Sequence, residues 1–439
     1  MLAMRIFLPP AMAVLALLFT PGISKAQSLP TPSCAWQFEW TPSGLGNWLI
    51  PDTGNRWWYM PIDPQWQKLT IAGSYPKARF FSFAVYEGAP VSSGLTSRLY
   101  DAQIAPNTGS VNPFATPDAG GRWAHRPQKY TVAVTRNPNQ GANSLDLKAG
   151  AGWLVYRLYL PNSGEGTTGG IPLPGISVTD ARGQTTALPP CAVSNRQSEI
   201  AALQPQFLPP ALETPVATPP VPDLIAFAPV DPPPARLLPN PDNKYLISYF
   251  MSDYDPDRLI VVRGKMPAFP DTYNEGAPIS KPAPGFDSVQ MRYWSMCLAS
   301  FVSPLPVEGC AVDAGTPVDE NGFYTVVVSN DVLRPNWLPA QAAWIPWGDE
   351  KMIPKALVVR NLLPAPDFRQ SAQNAVEQGC ATAFNFPVPP THDAISQAGQ
   401  CARNIMGSYY PVATWCDRAE YKSGGWAACF SKAGKRQGK

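Results

Sequence analysis

The sequence predicts a mainly β protein: two tandem, related β-sandwich domains of jelly-roll-like type, followed by a small helical, disulfide-linked C-terminal tail. Three observations predict it. The 439 residues include 53 prolines and 33 glycines, too many breaks for a helical bundle, because each proline removes a backbone donor and interrupts a helix interior. Between these breaks recur short runs of β-branched and aromatic residues, the composition of strands. Three such runs occur twice, in the same order.

Residues 1–26 read as a secretory signal. Arg5 lies near the start, the run from Ile6 to Phe19 is apolar, and Ser24-Lys25-Ala26 offers small residues ahead of cleavage before Gln27. The run carries Pro9 and Pro10 and falls short of the ~20 residues a transmembrane helix needs. No later segment is long and apolar enough to span a bilayer. The expectation is an exported chain, periplasmic or extracellular, with no membrane span after signal cleavage.

Domain 1 is expected over 27–197 and domain 2 over 244–368. A connector at 198–243 separates them, with 13 prolines in the 37 residues from Pro205 to Pro241, a density that favours extended polyproline structure. The repeat is specific. Arg79-Phe80-Phe81-Ser82 matches Arg292-Tyr293-Trp294-Ser295, and Lys129 to Val134 matches Phe323 to Val328. Trp153 to Pro161 matches Ala356 to Pro364, carrying Arg157 and Arg360. The tail, 369–439, is cysteine-rich. Short helices are expected at 367–379 and 393–407, packed on domain 2.

Eight cysteines follow the signal: Cys34, Cys191, Cys297, Cys310, Cys380, Cys401, Cys416 and Cys429. There is no CxxC pair and there are two histidines, whereas zinc sites draw on close Cys and His ligands. An even set in an exported chain reads as four disulfides. Cys34 and Cys191 bracket domain 1, and Cys297 and Cys310 flank a hairpin. In the tail, Cys380–Cys401 with Cys416–Cys429 is the simplest of three possible connectivities.

Ser74 to Tyr86, Gly109-Ser110-Val111-Asn112-Pro113-Phe114, Val262-Arg263-Gly264-Lys265, Met291 to Cys297 and Trp344-Ile345-Pro346-Trp347-Gly348 together resemble a family of uncharacterised exported bacterial proteins. More distantly, each half is similar to the jelly-roll-like β domains found in pairs in exported bacterial proteins. The resemblance covers most of the mature chain. It implies fold and compartment, and it implies no catalytic residue.

Charged residues make up 15% of the chain and the net charge is +2, which gives nucleic acid no electrostatic footprint. GxSxG, HExxH, GxGxxG after a strand and the P-loop are all missing. His125 stands beside Arg126 in a loop, and His392 follows Thr391, which reads as a helix N-cap. Asp253, Asp255 and Asp257 form a carboxylate run that could attract calcium. An EF-hand, however, needs Gly and Glu where this loop has Arg258 and Gly264, and an Asx turn accounts for the same residues.

Arg79, Arg292, Arg157 and Arg360 sit at matching places in the two copies. With Lys265 they read either as an anion clamp or as internal Arg–carboxylate pairs that fix the scaffold. The second reading is preferred, since duplication preserves structure more readily than a site. Trp36, Phe38 and Trp40 alternate onto one strand face and read as core. Trp57 and Trp58 must point to opposite faces, as must Tyr293 and Trp294, so Trp58 and Trp294 are candidates for stacking on a ligand.

The functional expectation is a cofactor-free protein that binds a glycan or small organic molecule without catalysis. One alternative is a carbohydrate-active hydrolase or lyase, which needs two facing carboxylates about 5–10 Å apart in an interdomain groove. Another is a cell-envelope interaction protein, marked by an uncovered apolar patch.

Overall fold

A computed structural model describes residues 31–437, apart from 43–45, 89–93, 116–126, 137–140, 149–151, 193–223, 232–237, 251–254, 303, 352–353 and 384–389. The expected signal segment, His125, Asp253 and most of the connector lie outside the described residues.

The first sandwich runs β1 (Phe38–Trp40), β2 (Asn55–Ile62), β3 (Lys68–Ser74), β4 (Ala78–Glu87) and β5 (Gly94–Tyr100). It continues with β6 (Lys129–Thr135), β7 (Ser144–Asp146), β8 (Gly152–Pro161), β9 (Gly175–Thr179) and β10 (Thr185–Leu188). The second runs β11 (Leu224–Ile225), β12 (Ala228–Asp231), β13 (Asn243–Phe250), β14 (Arg258–Lys265) and helix α1 (Thr272–Glu275). Then come β15 (Met291–Ser300), β16 (Val307–Val312), β17 (Phe323–Ser329), β18 (Ala343–Pro346) and β19 (Lys355–Pro364). Last are α2 (Ala372–Glu377), β20 (Thr382–Ala383), α3 (His392–Met406), β21 (Val412–Asp417) and α4 (Arg418–Gln437).

Four sheets stack as layers. The inner sheet of the first sandwich has the order β1-β2-β8-β4-β5, and its outer sheet β10-β9-β3-β6-β7. The second sandwich has inner order β16-β15-β19-β13-β12-β20 and outer order β11-β21-β14-β17-β18. Met60, Phe83 and Tyr156 on the first inner sheet pack against Ile71, Val132 and Ile176 of its outer sheet. The opposite face of that inner sheet, with Trp57, Tyr59 and Val155, meets Ile247, Ala356 and Val358 of the second inner sheet. Both inner sheets are thus covered on both sides. This is why β4, β8, β15 and β19 read as nearly unbroken apolar runs, whereas β3 and β9, with one face in water, alternate.

The repeated segments occupy equivalent strands: β4 with β15, β6 with β17, β8 with β19. Irregular backbone is repeated as well. Leu160 and Leu363 share a positive φ of 44°, and their amides bond Gly54 and Asp242 carbonyls. Non-glycine residues rarely take that conformation, so its recurrence at one position marks a shared frame.

Two boundaries differ from the expectation. The segment expected as a connector supplies β11 and β12 to the second sandwich. The segment expected as a helical tail supplies β20 and, in the outer sheet, β21 between β11 and β14. Since β9 and β21 both pair antiparallel with the strand next in (β3 and β14), β21 is the second copy of β9. Helices α2 and α3 sit in the chain between β19 and this strand. The disulfides Cys34–Cys191, Cys297–Cys310, Cys380–Cys401 and Cys416–Cys429 are formed. Cys416–Cys429 pins α4 onto β21.

Candidate functional site

The seam between the inner sheets holds the repeated arginines. Arg79, opening β4, donates to Asp313 at 2.5 Å, with both side chains fully buried, and its Nε donates to Thr272 at 2.9 Å. Arg292, opening β15, donates to both oxygens of Asp101 at 3.1 Å. Asp101 and Asp313 begin matching 3-10 turns, Asp101–Gln103 and Asp313–Gly315, after β5 and β16. Each carboxylate also accepts an amide of its own sandwich, from Phe81 at 3.1 Å and Trp294 at 2.9 Å. The two pairs cross the seam reciprocally, as a two-fold interface does when both partners belong to one chain.

Alternation along β8 and β19 turns Arg157 and Arg360 to the same seam. Arg360 Nη2 donates to the Ile50 carbonyl at 2.7 Å, and Nη1 to Asp52 at 3.4 Å and to Cys297 Sγ at 2.9 Å. Asp52 further accepts from the Gly54 amide and the Tyr293 hydroxyl, each at 2.8 Å, and from the Ser295 hydroxyl. Arg157 Nη2 donates to the Leu238 carbonyl at 2.8 Å and to the Tyr86 hydroxyl at 2.9 Å. Its Nε and Nη1 have no hydrogen-bond partner among the described residues. Nearby, burial pushes the Asp242 carboxyl up to about 6, with Arg98 opposing the shift from 2.9 Å.

These placements redefine several candidates. The four arginines lie in the seam, Arg79, Arg157 and Arg360 fully buried and Arg292 12% exposed, and each donates to a group within the protein. Trp58 stacks on Tyr156 with ring centroids 5.4 Å apart, and Trp294 lies 4.7 Å from Tyr324. Both are buried, as are Trp57 and Tyr293 on the other faces, because each inner sheet is covered on both sides. Lys265 is half-buried over the Tyr409 ring at 5.7 Å. Asp255 accepts the Asp257 amide at 2.9 Å, an exposed Asx turn leading into β14. His392 is exposed in the first turn of α3, which Thr391 caps.

A cleft of about 440 Å³ opens where one end of the seam reaches the surface. The turn Thr53-Gly54 into β2, the loop after β8, Tyr273 on α1, and Val312 with Ala314 and Gly315 form its walls. Gly54 is required by close approach, since a side-chain carbon there would collide with the Tyr293 hydroxyl. Gly164 and Gly166 take φ of 82° and 65°, which lets the loop turn tightly past Ser163, whose amide bonds the Tyr273 carbonyl at 2.8 Å. Asn55 and Asn162 are both more than nine-tenths buried beside the cleft, and Asn55 Nδ2 and Asn162 Oδ1 have no hydrogen-bond partner among the described residues. Buried polar groups are normally paired. One donor and one acceptor are therefore unspent at this cleft, and the described residues lining it include no carboxylate. Beyond Val312 and Gly315 lies a second hollow of about 480 Å³, lined by Cys310, Arg334 and Trp344 among others.

Sequence reasoning missed the carboxylate partners and the cleft. The repeated Asp-Ala dipeptide, Asp101-Ala102 and Asp313-Ala314, was a readable signal for the partners. The cleft joins segments remote in the chain and left no local signature.

No protein-family model matches the chain, and no curated protein matches it. Solved structures similar to the chain include two uncharacterised bacterial proteins. An uncharacterized protein from Burkholderia cenocepacia is 12% identical with a TM-score of 0.44, over 76% of this chain and 80% of that one. The VPA0106 protein from Vibrio parahaemolyticus is 9% identical with a TM-score of 0.35, over 72% of this chain and 86% of that one.

Proposed function

We propose that this is an exported, non-catalytic protein that holds a small polar ligand, of glycan or polyol type, in the cleft at the end of the seam. The observation that carries the reading is an unpaired donor, Asn55 Nδ2, and an unpaired acceptor, Asn162 Oδ1, in the wall of a cleft that also carries the Thr53, Ser163 and Thr167 hydroxyls and the Arg56 guanidinium between apolar side chains. A sugar hydroxyl both donates and accepts, so a polyhydroxylated ligand can meet a donor and an acceptor in one wall. Four disulfides fit an oxidising compartment, and no helix among the described residues is long and apolar enough to cross a membrane. Periplasmic or extracellular residence, with cleavage before Gln27, completes the reading; the intact mass of the chain recovered from its producing cell tests that part.

A panel of glycans and small organic molecules, screened by thermal shift on the oxidised protein, tests the binding. A hit that raises Tm in the native chain and fails to do so in Asn162→Leu supports the cleft. A panel without any hit removes the reading's support. One observation favours an envelope-interaction role instead: adjacent Val332 and Leu333 are 90% and 78% exposed in the loop between β17 and β18. If Val332→Asp with Leu333→Asp abolishes retention of the protein on isolated envelopes, that second reading gains.

A further inference from the structure

We propose that the Cys297–Cys310 disulfide is a thiol-exchange site, opened by a small-molecule thiolate that attacks Cys310 from the neighbouring hollow. The two cysteines face each other across β15 and β16, yet their surroundings differ. Cys297 is fully buried. Cys310 is part-exposed and lines the hollow of about 480 Å³ beside the cleft. Of the two residues, only Cys310 is open to an incoming thiolate.

The buried sulfur is prepared to leave. Arg360 Nη1 donates to Cys297 Sγ at 2.9 Å, closer than its 3.4 Å contact with Asp52. An adjacent guanidinium lowers the pKa of a thiol, and a thiol of lower pKa leaves faster in exchange. The opposing influence is Asp52, which has an oxygen within 4.8 Å of both sulfurs. Its charge is already spread over the Gly54 amide, the Tyr293 hydroxyl and the Ser295 hydroxyl. The contrast with Cys416–Cys429 is plain. Those sulfurs lie 3.5 Å from the carbonyl oxygens of Asp417 and Gly425, which disfavour a thiolate.

The exchange balances without a further reactant. The thiolate R–S⁻ bonds to Cys310 Sγ, the Cys297–Cys310 bond breaks, and its electron pair leaves on Cys297 as a thiolate held by Arg360. Cys297 then either re-attacks Cys310 and expels R–S⁻, or persists while a second R–S⁻ takes the R group as R–S–S–R and frees the Cys310 thiolate. The site adjoins Val312 to Gly315, the ridge shared by the two hollows, so exchange there is placed to alter the cleft wall.

The test incubates the folded, oxidised protein with reduced glutathione, quenches by alkylation, and maps adducts by peptide mass. The first adduct is expected on Cys310 with the new free thiol on Cys297, at least tenfold ahead of the other three pairs. In a folded Arg360→Gln protein the step should slow by about three- to tenfold, while Arg360→Lys retains most of the rate. An adduct appearing first on Cys297 or at another pair overturns the proposal, as does an unchanged rate in folded Arg360→Gln. Should that variant not fold, the position of the first adduct in the native chain decides alone.

Discussion

Arg157 and Arg360 hold one position in two copies of a sandwich, and the copies treat them differently. Each donates to a carbonyl across the seam, of Leu238 and Ile50, and each of those residues has positive φ. Arg360 also meets Asp52. Across the seam from Arg157, the place of Asp52 is taken by Asn240, whose side chain instead donates to the Tyr159 hydroxyl at 2.9 Å. Arg157 is left with aromatic faces, Trp57 at 5.5 Å and Tyr86 at 5.6 Å, and two unpaired donors. The shared scaffold therefore demands a guanidinium at this position and does not demand its carboxylate. A planar cation that bridges backbone across the seam is the common element, and ion pairing is an addition of one copy.

Several substitutions break or sharpen this comparison. The largest effect is expected from Arg79→Ala, which strands Asp313 with no exposure on either side. Urea unfolding should show a loss of about 3–5 kcal/mol. Arg292→Ala should cost about half that, because Arg292 is 12% exposed and water can reach the remaining carboxylate's surroundings. Equal losses would contradict the ranking. Asp52→Asn makes the two copies alike and should destabilise by about 3 kcal/mol; a neutral result would mean that Arg360 needs its carboxylate no more than Arg157 does.

The pH dependence sharpens the first copy. Asp242 titrates near 6 when folded and about 3.9 when unfolded. Its contribution to stability is thus fully present below about pH 4 and is lost as pH rises through 6, an amount of about 2–3 kcal/mol. The difference in stability between the native chain and Asp242→Asn should therefore shift in favour of the native chain as pH falls from 7 to 4. A flat difference would place the titration elsewhere. The smallest effect is Asn240→Asp, which offers Arg157 a carboxylate and should stabilise by about 1 kcal/mol. A loss would show that repulsion from Asp242 outweighs the new pair.

Much of this fold was legible in the sequence, for physical reasons that also explain the gaps. Proline content and repeated strand-like runs pointed to two related sandwiches, and those runs form two strands of each inner sheet and one of each outer sheet. The continuous apolarity of Phe80 to Tyr86 was readable as a strand but not as one covered on both faces. That left Trp58 and Trp294 as ligand candidates when both are core. Val412 to Cys416 has strand composition, yet the helices before it masked its membership in the outer sheet. The arginines were visible as a matched set because β8 and β19 keep them in register. Asp101, Asp313 and the cleft depend on contacts across the seam, which no local pattern encodes.

The placement of β21 has a consequence for how the molecule is made. The first sandwich closes with strands drawn from one continuous stretch, 38 to 188. The outer sheet of the second keeps a vacancy beside β14 until Val412–Asp417 arrives, because Leu259 pairs with Cys416. A chain emerging from its N-terminus can finish one sandwich early and must hold the other ajar, with the Leu259–Val262 edge unpaired, until Val412–Asp417 is delivered. Late contacts between distant residues are slow to form and expose strand edges meanwhile. By topology the second sandwich is thus the slower of the two to close.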